Sequence, residues 1–222
     1  MYQQSPEQRL FKETLISLYK NHPMKVDVLG SKKDIQNMRM EDLKYFYELN
    51  YDPSKLCLVG ITGKDTDEIM EWIKDCQKDV ESKCDKEISR FFKEEPMEVN
   101  RKEFVDTMDI SQPFVCVGFK MKPCSNVMES IEKDFAVNMW LDSLMGPLNP
   151  KFQEWLDQRI FTQFVGAEAD FTTDHSYVLF YAQTTNPDAF IELVKEDGKR
   201  ISSTKRWGVF ASKMKRWESI SL

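Results

Sequence analysis

The chain contains two histidines, His22 and His175, so any catalytic or metal site based on histidine must use one of them. Histidine is the side chain that most often acts as a general base or binds a metal near neutral pH. His22 precedes Pro23 at the end of a predicted helix, which favours a polar turn residue. His175 follows Asp174, so the pair could act as a base and its orienting carboxylate, but the polarity of a turn explains both residues equally well.

The sequence contains no recognisable metallopeptidase, zinc-finger or nucleotide-binding motif. His-Glu-x-x-His and His-x-x-Glu-His are both absent, and none of the five cysteines forms a Cys-x-x-Cys pair, which favours reduced thiols over a structural zinc site. The segment from Gly60 to Gly63 lacks the lysine and hydroxyl of a P-loop, so a strand-to-helix turn is the better interpretation. Glu168 and Asp170 share one face of a predicted strand, where an exposed surface explains them more simply than acid–base catalysis.

Net charge does not favour a nucleic-acid partner, and hydropathy predicts no membrane span. The formal net charge of −6 does not favour binding to nucleic acid. No apolar run is long enough to span a bilayer, and the first residues do not resemble a signal peptide, so we predict a cytoplasmic protein. Residues 199–222 contain seven Lys or Arg, one Glu and two Trp, a composition that suits contact with a membrane surface or an acidic partner. A solvated terminal helix or a disordered end is the simpler interpretation.

Hydrophobic periodicity predicts an α+β fold in which helices cover antiparallel strands. Ser5, Pro6 and Gln8 mark the start of the first helix, because they supply a cap, a proline at the first helical position and a Gln at the third. The predicted helices are Pro6–Lys20, Arg39–Leu49, Asp65–Cys84, Val127–Met145, Lys151–Gln158 and Asn186–Glu196, and the predicted strands are Leu56–Thr62, Glu103–Ile110, Phe114–Met121, Phe164–Phe171 and Tyr177–Gln183.

The chain is predicted to have two structural halves joined by a connector. Residues 85–102 are charged, contain Pro96 and show little periodicity, which is typical of a linker. We therefore expect a first region over 1–84, a second over 103–197 and a basic tail over 198–222.

Several motifs follow one another in a characteristic order. Residues 18–30 contain a His-Pro turn and end at a Gly, residues 40–47 match a predicted helix of the Leu-x-x-Phe-Tyr type, and residues 51–60 contain a Tyr-x-Pro turn followed by a predicted strand. This order resembles the second half of the first domain of pitrilysin/insulinase-type zinc metallopeptidases, the inverzincins. Residues 146–171 are similar to the family's second domain, most clearly to that of bacterial two-domain members that act as paired subunits. The resemblance implies the second half of one insulinase-type domain plus most of the next.

The same resemblance implies that this chain lacks the family's catalytic residues. The zinc-binding His-x-x-Glu-His motif would lie well before Met1. The third zinc ligand would fall just before Met1 as well, so Met1 resembles an internal methionine. A family Arg, and a Tyr seven residues later, would fall on Leu156 and Gln163, while the nearby Arg159 is followed at that spacing by Gly166. We therefore expect no catalytic, metal-binding or cofactor-binding residue in this chain, with zinc belonging to the parent family.

The expected function is a truncated or non-catalytic part of an insulinase-like zinc peptidase. It would bind or enclose peptide or unfolded polypeptide without cleaving it alone. One alternative is a non-catalytic scaffold subunit paired with an active peptidase. A second is an unrelated α+β hydrolase that uses His175 with Asp174 or Glu168. Half a domain exposes a sheet edge and an apolar face, so we also expect a homo-oligomer or a peptidase partner subunit.

Overall fold

The computed structural model describes residues 5–81, 91, 93–162 and 164–201, the last five of them by backbone alone. It divides into two compact units: unit 1 comprises residues 1–27 and 92–222, and unit 2 comprises residues 28–91. Residues 1–27, which lie in the first predicted region, group with residues 92–222. The division of the chain at residues 84 and 103 stays a prediction. From residue 202 onward, the predicted basic tail lies outside the described residues.

The described residues contain both helices and antiparallel strands, which confirms the predicted α+β class. No helix in these ranges has the length and apolarity needed to cross a membrane. In chain order the helices are α1 Pro6–Leu18, α2 Lys32–Asn37, α3 Met40–Asn50, α4 Thr66–Gln77, α5 Val127–Met145, α6 Phe152–Asp157 and α7 Pro187–Ile201, and the strands are β1 Phe114–Lys120, β2 Val165–Phe171 and β3 Ser176–Gln183.

Unit 1 is built around a three-stranded antiparallel sheet with β3 in the centre, in the order β1-β3-β2. Because successive side chains of a strand point to opposite faces, β3 contributes to two clusters. Phe180 packs with Leu141 of α5 and Phe190 of α7 on one face. Leu179 packs with Leu18 of α1 on the other. Helices on both faces therefore bury the central strand.

Gly118 of β1 allows α1 to approach the sheet closely. A Cβ atom placed there would lie 3.0 Å from Thr14 Cγ2 and 3.1 Å from both Leu18 Cδ1 and Leu179 Cδ2. These distances leave no room for a branched side chain between α1 and β3.

We expect Gly118→Val to lower the free energy of unfolding by about 1–3 kcal/mol, because the added methyl groups overpack this contact. Urea unfolding followed by circular dichroism measures the change. Gly63→Val is the matched control, since a Cβ at Gly63 meets nothing within 4 Å. Equal effects of the two substitutions would contradict the packing described for α1.

An extended segment runs along α1 where a linker and a strand were predicted. Arg101 donates its backbone N–H to the Ser17 carbonyl at 2.9 Å, and its guanidinium contacts a Glu13 carboxylate oxygen at 2.7 Å. Further along, Asp106 forms an ion pair with Arg9. The predicted strand Glu103–Ile110 is therefore wrong: no described strand pairs with these residues, and this part of the chain contacts a helix instead.

Unit 2 contains α2, α3 and α4, and it exposes many apolar side chains. The predicted buried strand Leu56–Thr62 is wrong, because the described residues of unit 2 offer no second strand to pair with it. Val59 is 81% exposed and Ile61 is 100% exposed. The apolar side chains of α3 are exposed as well, namely Leu43, Phe46 and Tyr47.

Candidate functional site

A carboxylate from the extended segment fixes the turn that follows α1. Glu95 Oε1 accepts the backbone N–H of Lys20 at 2.8 Å, and Glu95 Oε2 accepts those of Asn21 at 2.6 Å and His22 at 2.7 Å. Three successive donors are thereby satisfied by one side chain. The turn that contains His22 is therefore stabilised by a side chain distant in sequence.

Lys120 of β1 completes this anchor. Its ammonium group contacts Glu95 Oε1, donates to the Pro96 carbonyl at 2.7 Å and lies 4.9 Å from the ring centroid of Tyr19. The side chains of Lys120 and Glu95 are only 4% and 11% exposed. Burial alone would raise the pKa of Glu95, but hydrogen bonds from Lys120 and the three backbone N–H groups lower it to about 2. The pair is therefore a buried ion pair with its remaining lone pairs satisfied.

His22 faces the hairpin that joins β2 to β3. Its Nδ1 accepts the Met24 N–H at 3.2 Å, and its Nε2 lies 3.6 Å from Asp174 Oδ2. The residue is 3% exposed. Burial, together with the neighbouring His175, lowers the pKa of His22, so the neutral ring is favoured.

The hairpin turn presents His175 between two carboxylates. His175 Nδ1 lies 2.9 Å from Asp174 Oδ1, and Nε2 lies 3.1 Å from Asp170 Oδ2. Thr172 shapes the turn, since its hydroxyl accepts the His175 N–H at 3.0 Å and contacts Asp174 Oδ1 at 2.6 Å. The His175 side chain is 11% exposed.

The structure brings together two histidines that the sequence separates widely. Their ring centroids lie 5.1 Å apart. The potential ligand atoms of His22, Asp174 and His175 all lie within 4.8 Å of one another. We call His22, Asp170, Asp174 and His175 the histidine cluster. No local signal near His22 predicts it, because the approach depends on α1 packing across the sheet.

The arrangement gives little support to the predicted hydrolase based on His175. Among the described residues, no hydrogen bond or ion pair joins Glu168 to His175. Burial, followed by the nearby Asp170, raises the pKa of Glu168. The Thr172 hydroxyl lies 2.9 Å from His175 Nδ1 and 2.6 Å from Asp174 Oδ1. The hydroxyl has a single proton, and Asp174 is the closer acceptor for it. Thr172 therefore fits a turn-forming role better than that of a nucleophile.

The structure describes one of the two positions that align with the family's Arg and Tyr. Leu156 is partly buried against the main core. Arg159 adopts a left-handed backbone conformation with φ of 55°, just after α6. Gln163 lies outside the described residues.

The histidine cluster does not fit the catalytic zinc of the resembled family. That site takes two histidines four residues apart on one helix, with a Glu between them as the general base. His22 and His175 instead come from two separate turns, and His22 is 3% exposed, which leaves no access for a substrate carbonyl at its ring.

Comparison with known proteins identifies the family. Residues 37–205 match the family described as the peptidase M16 inactive domain. The chain belongs to this family. The match confirms the resemblance to insulinase-type peptidases and identifies the chain as a non-catalytic part of a zinc-protease-like family.

One relative and two solved structures are similar to this chain. The chain is 25% identical, over 195 residues, to the "uncharacterized zinc protease YmfH" of Bacillus subtilis (strain 168), covering 86% of this chain and 45% of that protein. It superposes on a putative M16-like peptidase from Alicyclobacillus acidocaldarius with a TM-score of 0.82 and 26% identity, covering 100% of this chain and 53% of the other. A protease from Helicobacter pylori shares the fold, with a TM-score of 0.75, 21% identity and coverages of 99% and 53%. The chain thus spans about half the length of the proteins it matches.

Proposed function

We propose that this M16 inactive domain holds an extended peptide for a zinc-protease assembly and does not cleave the peptide alone. The family match over residues 37–205 carries the proposal, since it assigns the chain to the non-catalytic part of the family. The sequence supports the absence of cleavage, because it lacks His-x-x-Glu-His. Sheet geometry supports the binding mode.

The β2 edge of the sheet is closed by side chains of α5. Asn138 accepts the Ala169 N–H at 2.8 Å and donates to the Ala169 carbonyl at 2.9 Å. Asp134 accepts the Phe171 N–H at 3.2 Å. These contacts occupy backbone groups that an added strand would need.

Among the described residues, the β1 edge of the sheet has no strand or helix side chain bonded to its backbone. The Met121 N–H donates to the Ser176 carbonyl at 2.9 Å. Because alternate residues of an antiparallel strand bond to the same neighbour, the odd-numbered residues of β1 bond to β3. The even-numbered residues, including Cys116 and Gly118, therefore direct their backbone groups away from β3. Within the described ranges no backbone group pairs with them, so an extended peptide can add here as a fourth strand.

Backbone-methylated peptides test this binding mode without altering the protein. Fluorescein-labelled ten-residue peptides are first screened for binding by fluorescence anisotropy. A binding peptide is then N-methylated at alternate residues, in one register or the other. We expect one register to bind at least about tenfold more weakly and the other to bind normally, because a strand bonds to its neighbour through alternate residues. Equal binding of both methylated forms, or no binding by any peptide, would contradict the proposed peptide site.

Exposed apolar side chains of unit 2 support a paired assembly. Leu58 is 73% exposed, Val59 81% and Ile61 100%. Clustered apolar groups at a surface favour association with another protein. We propose that this surface contacts a peptidase partner subunit or a second copy of the chain.

We expect the purified chain to self-associate, and Ile61→Lys to weaken association on the order of tenfold by placing a charge in the contact. Light scattering across a concentration series measures this. Leu148→Lys is the control, because Leu148 is 82% exposed and belongs to unit 1. A monomer at every concentration would contradict pairing between copies.

A further inference from the structure

We propose that His22, Asp174 and His175 bind one divalent transition-metal ion. His22 Nε2 lies 3.6 Å from Asp174 Oδ2, and His175 Nδ1 lies 2.9 Å from Asp174 Oδ1. Ligands at about 2.0–2.1 Å from a tetrahedral ion lie about 3.3 Å from one another, between these two distances. The two distances involve different oxygens of Asp174, and all three donor atoms lie within 4.8 Å of one another. Side-chain rotation is therefore needed to bring one carboxylate oxygen and both ring nitrogens to one ion.

Two of the three ligands already have the outer hydrogen bonds that a metal site needs. Asp170 Oδ2 lies 3.1 Å from His175 Nε2, so His175 can donate that N–H and direct Nδ1 to the metal. Thr172 Oγ1 lies 2.6 Å from Asp174 Oδ1, where its hydroxyl can orient the carboxylate. Such partners fix ligand orientation before the ion arrives.

His22 must exchange one hydrogen bond when the ion binds. Its Nδ1 accepts the Met24 N–H at 3.2 Å, whereas coordination through Nε2 places the ring proton on Nδ1. The Met24 N–H then loses this acceptor. The exchange lowers the affinity, but it also provides a signature of binding, because the Met24 amide resonance must shift.

The donor set selects the class of ion. Two imidazoles and one carboxylate suit Zn²⁺, Co²⁺, Ni²⁺ or Cu²⁺, whereas Mg²⁺ and Ca²⁺ prefer ligands that are all oxygen. Asp174 is exposed and provides the entry path, while His22 is buried. The ion would connect the turn after α1 to the β2–β3 hairpin, so the proposed site is structural. It is independent of the proposed peptide binding.

Isothermal titration with Zn²⁺ tests the site on the full chain. Cysteines at positions 57, 76 and 84 are first replaced by serine, because thiolates compete for zinc. We expect one ion per chain. Asp170→Asn should weaken binding about 10–100-fold through its effect on His175, and Asp174→Asn and His175→Ala should each weaken it by at least about 100-fold. Asp109→Asn, an exposed carboxylate outside the cluster, should change nothing.

Two further measurements make the result decisive. The parent chain in these experiments is the chain with the three cysteine-to-serine substitutions and no other change. Cobalt bound to this chain should give the visible absorption of a tetrahedral site, and zinc should shift its Met24 amide resonance. If His175→Ala fails to fold by circular dichroism, Asp174→Asn decides, because that side chain is 37% exposed. Zinc binding that is unchanged in Asp174→Asn, or an absence of zinc binding by the parent chain, would overturn the proposal.

Discussion

Glu95→Ala is expected to lower the free energy of unfolding by about 3–5 kcal/mol, the usual cost of breaking a buried ion pair. The substitution leaves the Lys120 ammonium, whose side chain is 4% exposed, without its carboxylate. It also removes the acceptor of three successive backbone N–H groups, those of residues 20–22. Urea unfolding at neutral pH measures the loss.

Two variants separate this explanation from a general effect of losing a glutamate. Glu98→Ala removes an exposed carboxylate nearby and should change stability by less than about 0.5 kcal/mol. Glu95→Gln with Lys120→Met removes both charges, so it should cost less than Glu95→Ala, because no buried charge remains unpaired. A Glu95→Ala chain as stable as the Glu98→Ala chain would contradict the anchor described here.

Phe180→Ala is expected to cost about 3–5 kcal/mol, the range for removing a buried aromatic ring from a core. Phe180 is 0% exposed at the centre of β3, and its ring packs edge-on against that of Phe119 at 6.0 Å between centroids. The cavity left behind would lie between the sheet and α5. Thermal and urea unfolding both report the loss.

Phe135→Ala on α5 is the matched control for Phe180→Ala. It is the same chemical change at a side chain that is 62% exposed, so we expect less than about 0.5 kcal/mol. Similar losses for the two variants would show that Phe180 does not occupy the core position described.

Local sequence signals predicted six of the seven described helices. They missed α2 Lys32–Asn37, although Ser31 and Asp34 form a capping box at its start. Ser5 caps α1 by accepting the Gln8 N–H, and Asp65 caps α4 by accepting the N–H groups of residues 67 and 68. Such caps act within one turn, so the sequence near them contains the whole signal. The turn between β2 and β3 is likewise local, since the Thr172 hydroxyl contacts Asp174 and His175 of the same turn.

Strands were harder to predict, because each needs a partner from elsewhere in the chain. β1, β2 and β3 have partners in one sheet, and their apolar runs were correctly interpreted. The run at 56–62 is similarly apolar and the run at 103–110 alternates weakly, but no described strand pairs with either of them. Apolar periodicity indicates that a segment can form a strand, while pairing decides whether it does.

The candidate site was predictable only in part. Asp174 and His175 are neighbours in sequence, and their contact at 2.9 Å was foreseen as a pair. His22 reaches them only because α1 packs on β3, and Glu95 anchors that turn from a segment whose composition is typical of a linker. No spacing rule connects residues so far apart, since only the tertiary fold brings them together.

A peptidase assay on the purified full chain tests the central claim most directly. The chain is incubated with Zn²⁺ and a broad panel of quenched fluorescent peptides, with and without a chelator. We predict no zinc-dependent cleavage above the protein-free blank, even where peptides bind to the β1 edge or zinc binds to the histidine cluster. Cleavage that depends on zinc, is lost with the chelator and copurifies with the chain would contradict the assignment as a non-catalytic part of the protease.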